Sequence, residues 1–121
     1  MGWVVWGDVC AAVLQLSFMA AYYGLHGAMP PVYEACATRK FFHGRTETIR
    51  SATEAATAFC KALAAGAPKE ETQALMQAAA KAHAGVSKAA ATGSGIDRHF
   101  TVRPTKHLPG DLMYGVVAVI E

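Results

Sequence analysis

Between Tyr33 and Arg50 the sequence reads YEACATRKFFHGRTETIR, and nowhere else in the 121 residues is polar chemistry so concentrated. The stretch holds five basic side chains (Arg39, Lys40, His43, Arg45, Arg50), two glutamates (Glu34, Glu47) and three threonines (Thr38, Thr46, Thr48). Guanidinium forks beside hydroxyl donors suit a carboxylate or phosphate oxygen. A further arginine, Arg98, stands next to Asp97 between the apolar Ile96 and Phe100. A cation set among apolar neighbours is usually held for an ion pair or a ligand. Spacing alone leaves a second reading open, in which Arg45, Glu47 and Arg50 form a solvated loop with local salt bridges of little energetic weight.

Other chemistry has few candidates. The five histidines form no H-E-x-x-H and no Cys/His ligand spacing, so no metal site is expected. Cys10, Cys36 and Cys60 are scattered and odd in number, which fits buried thiols in a reducing compartment better than a disulfide framework. A formal charge of +2 and the lack of an arginine-rich face predict no nucleic-acid partner. His43 and His83 are expected in a turn and on a helix surface.

The polar stretch needs elements to hold it, and 121 residues suffice for one domain. Hydrophobic residues make up 53% of the chain, but alanine supplies much of that, so the core is thinner than the figure suggests. Asp8 is positioned to cap a helix from Val9 to about Leu25, with Val9, Val13, Leu16 and Ala20 as its buried stripe. That helix is apolar on nearly every face and belongs inside something large. Asp8, Gln15, Ser17 and His26 interrupt the apolar run and no basic segment precedes it, so neither a signal peptide nor a membrane span is expected there.

Pro30-Pro31 sets an extended entry into a strand at about 32–38. Phe41 and Phe42 are expected to pack beneath a turn at His43-Gly44, and Arg45 to Arg50 reads as loop. Ser51-Ala52-Thr53-Glu54 has the form of a capping box, opening a helix whose stripe is Ala52, Ala56, Phe59 and Leu63. Gly66 and Pro68 separate it from a second helix, which carries Glu70-Glu71 in its first turn and a stripe of Leu75, Ala79, Ala82 and Val86. Thr92 to Gly95 breaks that helix. Pro104, Pro109 and Gly110 exclude a long helix near the end, where GVVAVI reads as a possible strand.

The stretch YEACATRKFFHGRTETIRSAT closely resembles the signature of the carnitine/choline acyltransferases, in which a Tyr-Glu-Ser/Ala strand leads into Gly-Arg-Thr-Glu/Asp-Thr-Ile/Val-Arg-Ser. Leu14-Gln15-Leu16 with Tyr22-Tyr23 resembles the helix before that strand, and GIDRHF resembles the later Asp-Arg-His-Leu/Phe segment. The ordered matches run roughly from Val9 to Phe100. The resemblance implies an α/β fold (α+β in isolation), a helix-rich fragment of a two-domain coenzyme A-dependent acyltransferase. Residues 1–100 would be a partial acyltransferase domain and 101–121 a divergent C-terminal segment.

It further implies acyl transfer between coenzyme A and the carnitine hydroxyl. Carnitine and acyl-coenzyme A would be the partners, with coenzyme A a co-substrate and no cofactor permanently bound. The setting would be intracellular, mitochondrial or peroxisomal. By motif position the carnitine carboxylate would be held by Tyr33, Thr46 and Arg98. The choline enzymes lack the Thr-Glu-Thr run and the later arginine, so Thr46 and Arg98 favour carnitine. Glu34 lies where the family approaches coenzyme A, although Ala35 and Ala37 replace serines common in that strand. The family's catalytic histidine lies upstream of this signature and its Ser-Thr-Ser motif downstream, so no catalytic residue is assigned here. The chain is therefore expected to be inactive without the remainder of such an enzyme. The alternative is a non-catalytic truncated paralogue that binds carnitine, or another protein through its apolar first helix.

Overall fold

The computed structural model describes residues 3–95 and residue 97. Three helices, α1 (Trp3–His26), α2 (Glu54–Ala64) and α3 (Lys69–Ala91), are joined by a hairpin of β1 (Glu34–Ala37) and β2 (Thr46–Ile49). This is the mixed helix-and-strand architecture expected. The helices pack on one another, and the hairpin rests on α3. The core lies among the helices, where Leu16 and Met19 of α1 meet Ala56, Phe59 and Cys60 of α2 and Ala79 of α3. Arg98, His99 and the GVVAVI segment lie outside the described residues.

Local rules account for most boundaries. Thr53 caps α2 by accepting a hydrogen bond from the Ala56 amide at 3.2 Å. Gly66, at φ +70°, ends the α2 turn in a left-handed conformation that a side chain would strain. Pro68 then precedes α3, whose Glu70 and Glu71 lie at the positive end of the helix dipole. The cap itself differs from the S-x-x-E reading: Ser51 donates its hydroxyl to Glu34 at 2.8 Å, leaving Thr53 to cap.

Helix α1 starts upstream of the expected point, so Asp8 falls inside it rather than at its cap. Its buried face keeps Leu16, with Ala20 packed against the core, but adds Ala12 and Met19 and leaves Val13 exposed. On a helix apolar all round, periodicity cannot select the buried face, and the residues of α2 and α3 do so instead. In α2, Cys60 joins Ala56 and Phe59 in the interior, whereas Leu63 is exposed. No helix among the described residues is long and apolar enough to cross a membrane.

Two small predictions arise from this packing. Gly24 of α1 and Gly85 of α3 have open space where a Cβ would stand. Gly24→Ala and Gly85→Ala should each raise stability by about 0.5–1 kcal/mol, measured by urea unfolding. The cysteines differ in access: Cys10 is exposed, Cys36 half-buried and Cys60 buried. Burial pushes the Cys60 thiol up, away from the reactive thiolate. Timed alkylation followed by mass spectrometry should label Cys10 first and Cys60 only after denaturant is added.

Candidate functional site

The hairpin is built by two tetrapeptides with opposite legibility. β1, EACA, is short, follows the extended Pro30-Pro31 entry and falls within the expected strand. β2, TETI, lies in the Arg45–Arg50 stretch that reads as loop, because three of its residues are polar. Its threonines are nevertheless good strand formers, and its residues alternate between exposed and inward positions with the period of a strand. The register is antiparallel, with Glu34 opposite Ile49, Ala35 opposite Thr48, Cys36 opposite Glu47 and Ala37 opposite Thr46.

Directly opposed residues share a face, so this register sorts the side chains. Glu34, Cys36, Glu47 and Ile49 form the inner face toward α3. Ala35, Ala37, Thr46 and Thr48 form the outer face, and continued alternation puts Tyr33 there as well. Tyr33 and Thr46 are both exposed, one at each end of this face. The four residue steps from Tyr33 to Ala37, the partner of Thr46, span about 13 Å at the strand rise. The side chains of Ala35 and Ala37 leave the floor between them low. At the turn end, Arg45, Thr46, Glu47 and Gly93 help line an open depression of about 460 Å³.

The chain after α3 follows the hairpin closely. Phe41 packs over Gly93, where an added Cβ would stand 2.9 Å from the ring. The Glu47 side chain covers Gly95, where a Cβ would lie 2.7 Å from the carboxyl carbon. Arg50 Nε then donates to Asp97 Oδ2 at 2.8 Å. Residues 93, 95 and 97 thus meet residues 41, 47 and 50 in order, carrying the chain along the hairpin to the residue just before Arg98. Phe42 departs from expectation: it is 96% exposed, so only Phe41 packs at the turn.

The inner face holds a polar cluster that the sequence did not disclose. Glu34 Oε2 accepts from Ser51 Oγ at 2.8 Å and lies 2.9 Å from His83 Nε2. Ser51 and His83 are buried, which corrects the expectation of His83 on a helix surface. A lone histidine in an alanine-rich helix reads as solvated, and its partner is 49 residues away. One signal was available, since His83 stands four residues after Ala79 and so continues the buried stripe.

The order Ser87, His83, Glu34 superficially matches a nucleophilic relay, with Ser87 Oγ 3.5 Å from His83 Nδ1. At 3.5 Å that contact is marginal as a hydrogen bond, and His83 is only 4% exposed. Ser51 bonds to the carboxylate rather than to the imidazole. The cluster is a packed joint between sheet and helix. Glu47 is buried too, and its Oε1 accepts from the Thr48 amide at 2.8 Å.

Residues 10–102 match the family described as choline/carnitine O-acyltransferase. Human muscle carnitine O-palmitoyltransferase 1 is 43% identical over 89 residues, covering 73% of this chain and 12% of that protein. Human peroxisomal carnitine O-octanoyltransferase is 42% identical over 88 residues, 71% of this chain and 14% of the relative. Pig choline O-acetyltransferase is 38% identical over 91 residues, 73% of this chain and 14% of the relative. The chain therefore spans only a small part of the length of the relatives it matches.

Proposed function

Because the chain belongs to the choline/carnitine O-acyltransferase family, we propose that it supplies the carnitine-carboxylate site for acyl transfer between coenzyme A and carnitine. The carboxylate is held by the Tyr33 phenol and the Thr46 hydroxyl from the outer face, and by the Arg98 guanidinium from the segment that follows α3. One observation carries this reading: the stepwise contacts of residues 93, 95 and 97 with residues 41, 47 and 50 lead the chain along the hairpin to the residue before Arg98. In the reaction the carnitine hydroxyl oxygen attacks the thioester carbonyl. The new C–O bond replaces the C–S bond, and the hydroxyl proton passes through a general base to the departing coenzyme A thiolate. We assign that base to the histidine that the family carries upstream of this signature. His83 does not fit the role, being buried against Glu34.

Glu34 faces the inner side of the sheet, so any contribution to coenzyme A comes from there and not from the carnitine face. The domain division proposed is an acyltransferase portion over 1–100 and a distinct segment over 101–121. A mitochondrial or peroxisomal location is part of the same proposal, the second supported by the peroxisomal octanoyltransferase relative.

Overall identity does not separate carnitine from choline, since 43% and 38% are close. The choice rests on groups that answer a carboxylate, which choline lacks. Isothermal calorimetry on the 121-residue chain should show carnitine binding more tightly than choline. Thr46→Val should weaken carnitine binding about tenfold, the value of one charge-assisted hydrogen bond. Equal affinity for the two ligands would refute the carboxylate reading. Catalytic exchange between acyl-coenzyme A and carnitine by this chain alone is not expected.

A second reading is favoured by α1, whose outer face leaves Leu14, Phe18 and Leu25 exposed. Such a face suits a non-catalytic module that pairs with another protein surface. Sedimentation distinguishes the two readings, because a stable monomer at high concentration removes the need for that pairing.

A further inference from the structure

Tyr33 lies one residue outside the hydrogen-bonded ladder, whose last pair is Glu34 with Ile49. Pro30 and Pro31 precede it and have no amide hydrogens with which to extend the ladder. The direction of its phenol therefore depends on how the first ladder residue is fixed. That residue is Glu34, turned to the opposite face, and its carboxylate is bound from two other elements at once.

We infer that Ser51, Glu34 and His83 act together as a positioning device for Tyr33, with His83 as the fixed post. This rests on the carnitine reading only for its consequence in binding. The donors converge on a single oxygen, Glu34 Oε2, from the β2–α2 junction and from the middle of α3. With Glu34 Oε2 as acceptor, His83 Nε2 is the donor and Nδ1 faces the Ser87 hydroxyl. Ser51 is 1% exposed and His83 4%, so water cannot readily take the place of either donor.

β1 is thereby pinned to α3 beneath the residue that must point the other way. Rotation of the strand about its axis would turn Tyr33 off the outer face and pull Glu34 out of both bonds. The same tie joins residues 34, 51 and 83, so both strands keep their height above α3. These three are positioning residues and touch no substrate.

The test uses the full chain with ¹³C-labelled tyrosine rings, the Tyr33 signal being assigned by its loss in Tyr33→Phe. His83→Ala removes the donor, whereas His83→Gln returns an N–H close to the Nε2 position. In His83→Ala the Tyr33 signal should move toward a motionally averaged position and carnitine affinity should fall about tenfold. In His83→Gln both should stay near wild type, within about threefold for affinity. A purely structural histidine would lower the melting temperature in both variants and leave the Tyr33 signal in place. If His83→Ala fails to fold, Ser51→Ala removes the other donor and is read in the same way.

An unchanged Tyr33 signal in a folded variant overturns the inference. A shifted Tyr33 signal in a chain whose wild type binds no carnitine supports the positioning role and removes the carnitine reading instead.

Discussion

Gly44→Ala is expected to dismantle the hairpin turn while leaving the three helices in place. The turn is closed by nested hydrogen bonds: Thr38 N to Arg45 O at 3.1 Å, Phe41 N to Thr38 O at 3.1 Å and Gly44 N to Phe41 O at 2.9 Å. A Cβ on Gly44 would overlap the Thr38 carbonyl oxygen and stand 2.8 Å from its carbon, with Phe41 Cβ at 3.1 Å on another side. The obstacle is backbone, so no rotamer change relieves it. The Thr38 carbonyl also accepts the Phe41 amide, so moving it away breaks a second bond.

Overpacking of this kind costs about 3 kcal/mol. In a domain of this size that lowers the melting temperature by more than about 10 °C. Hydrogen exchange should localise the damage, with amides of Thr46–Ile49 losing protection and those of α2 keeping theirs. Wild-type protection across β2 in Gly44→Ala would mean that the turn has another way to close. The contrast with Gly24→Ala, where a Cβ meets nothing, separates steric demand from the general effect of losing a glycine.

How much of this was legible in the sequence depended on whether the deciding partner was local. The α2–α3 boundary was legible because Gly66 and Pro68 act on their own backbones. Phe59 and Leu75 were legible as inward residues because helical spacing put each on one face. β1 was legible from its entry and its composition, β2 was not. Glu47 points inward, and a buried acid in a polar tetrapeptide reads as solvated until a neighbour covers it. The neighbour is the chain at Gly95, 48 positions later.

Ser51 shows the same limitation. Its sequence context fits a capping box, but Glu34 takes the hydroxyl, and the cap passes to Thr53. The candidate site followed this division. Tyr33 and Thr46 were proposed through family resemblance; the register sets Thr46 on the outer face, and continued alternation extends that face to Tyr33. The cluster behind them, which needs Glu34, Ser51 and His83 to meet, could only be found in three dimensions.

The largest functional effect is expected from Arg98→Ala. In the proposed site, a carboxylate bound by hydroxyls alone has no compensating positive charge. A hydrogen bond to a charged group contributes about 1.5–3 kcal/mol. Carnitine affinity should therefore fall about tenfold or more, and in a full-length acyltransferase carrying this segment the carnitine KM should rise at least about tenfold.

Two companion variants give the result its meaning. Arg98→Lys keeps the charge but loses the planar fork and should recover only part of the affinity. Arg50→Ala removes the bond to Asp97. That pair is partly exposed and contributes little to stability, so an affinity loss without a change in melting temperature would show that it guides the Arg98 segment.

Choline is the control. It has no carboxylate, and its quaternary ammonium gains nothing from a nearby guanidinium. Arg98→Ala should thus leave choline binding unchanged or slightly stronger and shrink the preference for carnitine. A parallel loss of both ligands would instead mark Arg98 as structural, and an unchanged carnitine KM would remove it from the clamp altogether.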